Sequence, residues 1–506
     1  MSLLVSLMPA VAILLYTPPT AIQAGSTTTI SLPAPETAHL LQEKIGEALL
    51  AEMANAAPGD TFRFVVHLTE SADLSAKSLP AARSERRKAV VEWLQQTATV
   101  SQAALIQRLE TLQAAGSVVT YRPFWIINGV AASGTASAIY ELAARSDVAR
   151  LVLDEQRRYF EPPTKMHKLV LAPQYAAPAA GTLSWGLRRI RAPHVWHGLG
   201  VDGSGVTVAI VDTGVDWLHP DLNGNYRGNL GNGNVEHAGN WYHAAYPTMT
   251  VPFDHIGHGT HVAGTAVGQN GIGVAPGAQW IAVSIAGAGG LIYDSQVHAA
   301  FEWLLAPNGK PTLAPDVVNN SWGGPGWYDA FVGDITALQA AGMIMVFAAG
   351  NSGPEAGTVN APASYPDTLA VGASDDIDAV AWFSSRGPSP LTTELKPLLV
   401  APGTNILSAL PDNNYGYVNG TSMATPHVAG SIALLLSADP DLSRQDITGL
   451  LLDTTVPVSS THPNNDTGWG LLDTYLAASH QAQHGTLRGT IQSNGVPIPG
   501  VTLTVT

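Results

Sequence analysis

Ser422, His258 and Asp212 are the residues of this 506-residue chain whose types could together break an amide bond. Amide hydrolysis needs a nucleophile, a base to activate it and donors for the oxyanion that forms. Ser422 lies in Gly420-Thr421-Ser422-Met423-Ala424-Thr425-Pro426-His427-Val428-Ala429-Gly430, at the predicted start of a helix running toward Leu436. A helix start offers free N–H groups and a partial positive charge, which favour an oxyanion. A serine there can also be a plain N-cap. His258 and His261 share the string His258-Gly259-Thr260-His261-Val262-Ala263-Gly264-Thr265. Their i, i+3 spacing lacks the HExxH pattern of a zinc protease. Asp212, in Val208-Ala209-Ile210-Val211-Asp212-Thr213-Gly214-Val215-Asp216, could orient an imidazole or cap a turn. Aspartic proteases also use Asp-Thr-Gly, but they need two copies or a dimer in an all-β fold. An α/β-hydrolase esterase would read G-x-S-x-G and run Ser, acid, His. Here Ala424 stands at the second glycine, and the order is Asp, His, Ser.

Such side chains need a rigid frame. Residues 206–211 are a continuous β-branched and apolar run, as in a strand buried on both faces, and Asp212 sits where it ends. Residues 280–285, 317–319, 343–348 and 368–372 read the same way. Helical stretches lie between them, such as 294–305 and 328–341. The alternation over 185–477 predicts an α/β domain, a parallel sheet with helices on both faces. Ligands bind such sheets at the carboxyl ends of the strands. Ahead of it, 61–68 predicts a strand, 84–115 a helix ended by Gly116, and 118–130 a strand or strand pair. Residues 136–145 then predict a helix and 148–153 a strand, an order that fits a small α+β domain. Residues 162–181, rich in Pro and Ala, read as a linker. After Gly485, Asn494-Gly495 between strand-like runs predicts a β-hairpin.

Together the three strings resemble the aspartate, histidine and serine motifs of subtilisin-like serine proteases, the subtilase family. Asp, His, Ser is the chain order known for subtilisin itself. The resemblance covers about residues 185–480. Three further strings, Gly273-Val274-Ala275-Pro276-Gly277-Ala278-Gln279-Trp280-Ile281-Ala282, Phe301-Glu302-Trp303-Leu304-Leu305-Ala306-Pro307 and Asp316-Val317-Val318-Asn319-Asn320-Ser321-Trp322-Gly323, point within the family to bacillopeptidase F-like members. The resemblance implies a serine endopeptidase with Ser422 as nucleophile, His258 as general base and Asp212 as orienting carboxylate. It implies that Asn351, in Phe347-Ala348-Ala349-Gly350-Asn351-Ser352-Gly353, donates its side-chain N–H to the oxyanion beside the Ser422 amide. Ser321, Trp322 and Gly323 would bind the substrate main chain by strand addition, joined by Ala349 and Gly350. Gly287, Gly289 and Gly290 would form the opposite rim, and Trp322 would narrow an apolar pocket or belong to the core. His261, His427 and Asp216 would be structural.

The same resemblance implies an N-terminal propeptide that assists folding, blocks the site and is removed by self-cleavage. The expected organisation is a signal peptide over 1–24, a propeptide with its linker over 25–172, a peptidase over 173–482 and the truncated start of a β-sandwich module over 483–506. No cofactor is expected for the chemistry. Residues 265–275 are too short for the calcium loop many members carry, and Asp221 alone makes no calcium site. No metal ligand is therefore assigned, and structural calcium elsewhere stays open. Residues 223–250 are an inserted Asn-, Gly- and aromatic-rich loop that could border the cleft or cover surface.

Composition narrows the classes. The length suits about two to four domains. With 45% hydrophobic and 12% charged residues, the chain can build a sizeable core and is unlike disordered sequences. A net charge of −15 argues against a nucleic-acid partner, which calls for basic patches. The absence of cysteine rules out disulfides, zinc–thiolate sites and a thiol nucleophile. It leaves export open, since a large domain needs no staples. The apolar run 3–16 followed by Ala21-Ile22-Gln23-Ala24 predicts a secretory signal and is too short to span a bilayer. The expectation is a secreted enzyme acting on polypeptides, with its own propeptide as partner and no stable membrane insertion.

Overall fold

The structure, a computed structural model, describes residues 43–57, 59–75, 79–160, 183–484, 492–493 and 496–497. The expected signal peptide, the linker at 162–181 and most of the module over 483–506 lie outside the described residues. Within that module, Gln492–Ser493 pairs antiparallel with Val496–Pro497, on either side of Asn494-Gly495.

The N-terminal unit runs α1 (Glu47–Ala54), β1 (Thr61–Leu68), α2 (Arg83–Ser101), α3 (Ala103–Ala114), β2 (Val118–Phe124), β3 (Gly129–Thr135), α4 (Ala136–Ala143) and β4 (Val148–Leu153). Its antiparallel sheet has the order β2-β3-β1-β4. Phe62, Phe64 and Val66 of β1 pack with Leu105, Leu109 and Leu142 into a core of their own. Val65, with Val90, Val91 and Leu94 of α2, instead joins a core shared with the larger sheet. The opposite faces of one strand thus serve two cores, as period-2 alternation requires. The single helix expected over 84–115 is two helices. The break falls at Gln102, whose buried amide donates to the Phe124 carbonyl at 2.8 Å and to Asn128 Oδ1 at 3.0 Å. Glutamine is a good helix former, so propensity gives no sign of that inward turn.

The larger sheet contains β6 (Thr207–Asp212), β7 (Trp241–His243), β8 (Gln279–Ser284), β10 (Val317–Asn320), β11 (Ile344–Ala348), β12 (Leu369–Ser374) and β13 (Leu399–Pro402). Its order is β13-β12-β11-β10-β6-β8-β7, with every pairing parallel. Between the strands lie α5 (His258–Val267), α6 (Asp294–Leu305) and α7 (Val332–Ala340), and after them α8 (Thr421–Ala438). Two short elements complete the description: β5 (Gln156–Arg158) and β9 (Leu291–Tyr293), which pair antiparallel outside the main sheet. Val208 and Ile210 pack in one core with residues of α5 and α8, whereas Ala209 and Val211 pack in the other with residues of α6 and α7. Asp212 shares the parity of Val208 and Ile210. Alternation therefore sends it toward the face of α5 and α8. Strands β7 and β13 escaped the sequence reading. Both are short sheet edges, and β13 ends in a proline that only an edge tolerates.

Candidate active site

Asp212 ends the central strand and is fully buried. Its Oδ1 accepts from His258 Nδ1 at 2.6 Å and from the Thr213 amide at 2.7 Å. Close approach makes this possible. A Cβ on Gly259 would sit 2.0 Å from the Gly214 carbonyl oxygen, and Gly257 opens α5 at φ 88, a conformation that favours glycine. Burial alone would lower the His258 pKa. The Asp212 charge and hydrogen bond, aided by Asp254, outweigh it and hold the imidazole above its ordinary 6.5.

The motifs of the sequence did not single out Asp254. Its carboxylate accepts from the Ile256 and Gly257 amides at 3.0 and 2.8 Å. It also accepts from Thr213 Oγ1 at 2.9 Å, Thr260 N at 2.9 Å and Thr260 Oγ1 at 2.7 Å. It therefore ties the first turn of α5 to the strand end that bears Asp212. The local signal was an aspartate just ahead of a helix start. His261, by contrast, donates to the Ile406 and Gly416 carbonyls at 3.0 and 3.1 Å, and burial lowers its pKa to about 4. His427 is likewise buried and lowered to about 4. Asp216 accepts from the Leu218 and Asp412 amides, both at 3.0 Å.

Ser422 stands in the first turn of α8. Its hydroxyl donates to the Ser321 carbonyl at 3.0 Å, while Ser321 Oγ donates to the Ser422 carbonyl at 2.8 Å. Among the described residues His258 Nε2 has no hydrogen-bond partner, so the serine and the imidazole are not bonded to each other. Both line one cleft of about 710 Å³, together with Ser321, Trp322, Gly323, Gly350 and Asn351. Asn351 Oδ1 accepts from Thr421 N at 2.9 Å and Thr421 Oγ1 at 3.0 Å. That fixes the amide and leaves its Nδ2 donors unengaged.

Other expected residues lie elsewhere. The Ala349 amide donates to Val371 and its carbonyl accepts from Asn360, so its main chain is spent inside the fold and it does not line the cleft. Gly287, Gly289 and Gly290 occupy the turn before β9, also outside the cleft lining. The inserted loop contributes β7 to the sheet and braces that turn, the Ala288 amide donating to Tyr246 Oη at 3.1 Å. Trp322 is buried among Phe301 and Phe331, with one face on the cleft. Both oxygens of Asp221 are taken, by Asn270 at 2.5 Å and Tyr415 at 2.7 Å. Among the described residues no group of three or more His, Asp or Glu is arranged to hold a metal ion.

Sequence reasoning also missed Arg158, Tyr159 and Phe160, which line the same cleft. Arg158 ends β5 and the other two follow it, and the Phe160 ring meets His258 edge-on at 5.6 Å.

A parallel α/β sheet carrying an imidazole–carboxylate pair and a helix-start serine on one cleft defines a class, serine-type peptidases of subtilisin architecture. Residues 203–470 match the subtilase family, peptidase S8, and the chain belongs to that family of serine-type endopeptidases. It is 39% identical over 433 residues to Bacillopeptidase F of Bacillus subtilis (strain 168), which covers 80% of this chain and 29% of that protein. It is 34% identical over 367 residues to Subtilisin E of the same strain, covering 71% of this chain and 83% of that protein. It is 37% identical over 306 residues to Subtilisin of Bacillus pumilus, covering 59% of this chain and 100% of that protein. The chain thus spans less than a third of the length of Bacillopeptidase F.

Proposed function

We propose that the chain is a secreted endopeptidase that hydrolyses peptide bonds in proteins through Asp212, His258 and Ser422. The observation that carries this reading is the buried 2.6 Å His258–Asp212 hydrogen bond, facing the same cleft as Ser422 and Asn351. In the reaction Ser422 releases the Ser321 carbonyl and turns its proton to His258 Nε2. The oxygen attacks the peptide carbonyl, and Asp212 stabilises the imidazolium and holds its tautomer. Asn351 Nδ2 and the Ser422 amide, an unpaired donor of the helix's first turn, stabilise the oxyanion. His258 then gives the proton to the leaving amine. Water repeats the sequence on the acyl-enzyme.

The N-terminal unit acts as a propeptide that blocks the cleft until self-cleavage. Three contacts support this reading. Arg158, Tyr159 and Phe160 line the cleft. Asp154 accepts from Ser295 N at 2.8 Å and Ser295 Oγ at 2.7 Å, capping α6. Glu302 accepts from the Trp125 and Ile126 amides at 2.7 and 3.2 Å. Secretion rests on the N-terminal apolar run. No helix among the described residues is long and apolar enough to cross a membrane.

A fluorophosphonate probe followed by peptide mapping tests the proposal. Label is expected on Ser422 of the processed protein and none on Ser422→Ala, whose precursor stays uncleaved. A processed protein that takes no label defeats the peptidase reading. Normal processing of Ser422→Ala in the absence of other proteases defeats self-cleavage.

A further inference from the structure

The side chain that fills one pocket of the cleft is a tyrosine, and its hydroxyl has a purpose-built acceptor. Tyr159 Oη donates to Asp294 Oδ1 at 2.8 Å. Its ring packs edge-on against Trp322 at 5.0 Å and tilts against Phe331 at 6.2 Å. Gly324 closes one side, where a Cβ would stand 3.3 Å from the Tyr159 ring. The other oxygen of Asp294 accepts from Tyr328. Arg157 lies 3.8 Å from that oxygen and stacks over the Tyr328 ring at 3.7 Å.

These groups come from two sources. Tyr159 and Arg157 belong to the segment that departs when the N-terminal unit is released. Asp294, Tyr328, Trp322, Phe331 and Gly324 stay with the peptidase. Release leaves a flat slot walled by aromatic rings and floored by a carboxylate only 2% exposed. One oxygen of that carboxylate has then lost its donor. With Tyr159 in place, burial pushes Asp294 up to about 6 against its two phenol hydrogen bonds. A buried acceptor without a donor is costly, and a site built to hydrogen-bond a hydroxyl discriminates strongly against an analogue that lacks it.

Direction follows from the chain. Strand β5 pairs antiparallel with β9, Arg158 opposite Leu291. Tyr159 then enters the slot, and the next residue, Phe160, meets His258. The slot is therefore upstream of the point where a bound chain reaches the imidazole. We propose that it is a substrate subsite selecting tyrosine on the N-terminal side of the cleaved bond, with Asp294 as the specificity-determining residue. This rests on the peptidase and propeptide readings above.

Two internally quenched peptides spanning residues 154–168, one carrying the native tyrosine at position 159 and one phenylalanine, give the test with processed enzyme. Casein hydrolysis is measured alongside. The tyrosine peptide is expected to have a kcat/KM about tenfold or more above that of the phenylalanine peptide. In Asp294→Asn the ratio falls toward unity, because the tyrosine peptide loses kcat/KM while the phenylalanine peptide does not. Active wild-type enzyme that treats the two peptides alike overturns the proposal without recourse to any variant, as does an unchanged ratio in an active Asp294→Asn. A lysine peptide cleaved faster than the tyrosine peptide assigns the carboxylate to a cation and also overturns it. Wild-type enzyme inactive on casein removes the peptidase reading first, and this inference with it.

Discussion

His258 meets Asp212 at 2.6 Å, and His298 meets Asp334 at 2.8 Å. In both pairs Nδ1 donates, the carboxylate is buried, and burial's downward pull on the imidazole is outweighed by the charge beside it. The surroundings differ. His258 lines the cleft with Ser422. His298 is enclosed by Phe331 at 5.3 Å and by Phe124 of the N-terminal unit at 6.1 Å, and it does not line that cleft. A raised imidazole beside a buried aspartate is therefore not in itself a site. Access and the neighbours of the second ring nitrogen decide what the pair can do.

The sharpest way to break this contrast is to remove each imidazole. His258→Ala, like Ser422→Ala, is expected to stay unprocessed and, once another protease has removed the N-terminal unit, to show about 10⁶ less turnover on casein, the size found for subtilisin, a member of the same family. His298→Ala should leave kcat/KM per folded, processed molecule within a few fold. A loss beyond about 10²-fold there, well clear of variation in processing, would erase the distinction. Asn351→Ala should lower kcat about 10²–10³-fold with little change in KM, again subtilisin's own magnitude. It is read from steady-state kinetics. Denaturant unfolding inverts the ranking. His298→Ala strands a buried carboxylate and should cost about 3–5 kcal/mol, whereas Asn351→Ala should cost far less.

The smallest effect is in pH, and its sign differs between the pairs. A general base must be neutral, so kcat/KM rises as pH rises through the His258 value, above 6.5. Asp212→Asn removes the raising charge and should move that limb to lower pH. The His298 pKa is raised in the folded state relative to the unfolded one. Its contribution to stability is full below about 6.5 and fades as pH rises through the folded value. Denaturant midpoints measured against pH in wild type and His298→Ala would show it.

Much of the frame was readable in advance. Strands β6, β8, β10, β11 and β12 lie within two residues of their expected bounds, because a strand buried on both faces must be continuously apolar. Edges escaped: Trp241–His243 lies within an Asn-, Gly- and aromatic-rich stretch, and Leu399–Pro402 is bounded by Pro397 and Pro402, which read as loop signals. At the candidate site, the roles proposed for Asp212, His258, Asn351 and Ser422 come from resemblance to a family, not from spacing. What remained hidden was partnership across distance. Nothing local to Tyr159 announces Asp294, which lies 135 residues away. Nothing around Ser422 announces that its hydroxyl rests on Ser321.

The parity of β6 also governs tolerance to insertion and deletion. Losing a single residue between Thr207 and Val211 would swap every inward and outward position and swing the terminal carboxylate to the far side of the sheet. The intervening stretch from Thr213 to Gly257 could change length by several residues, provided Asp254 still met Thr213. Natural length variation should accordingly collect in that stretch and avoid the six residues before it.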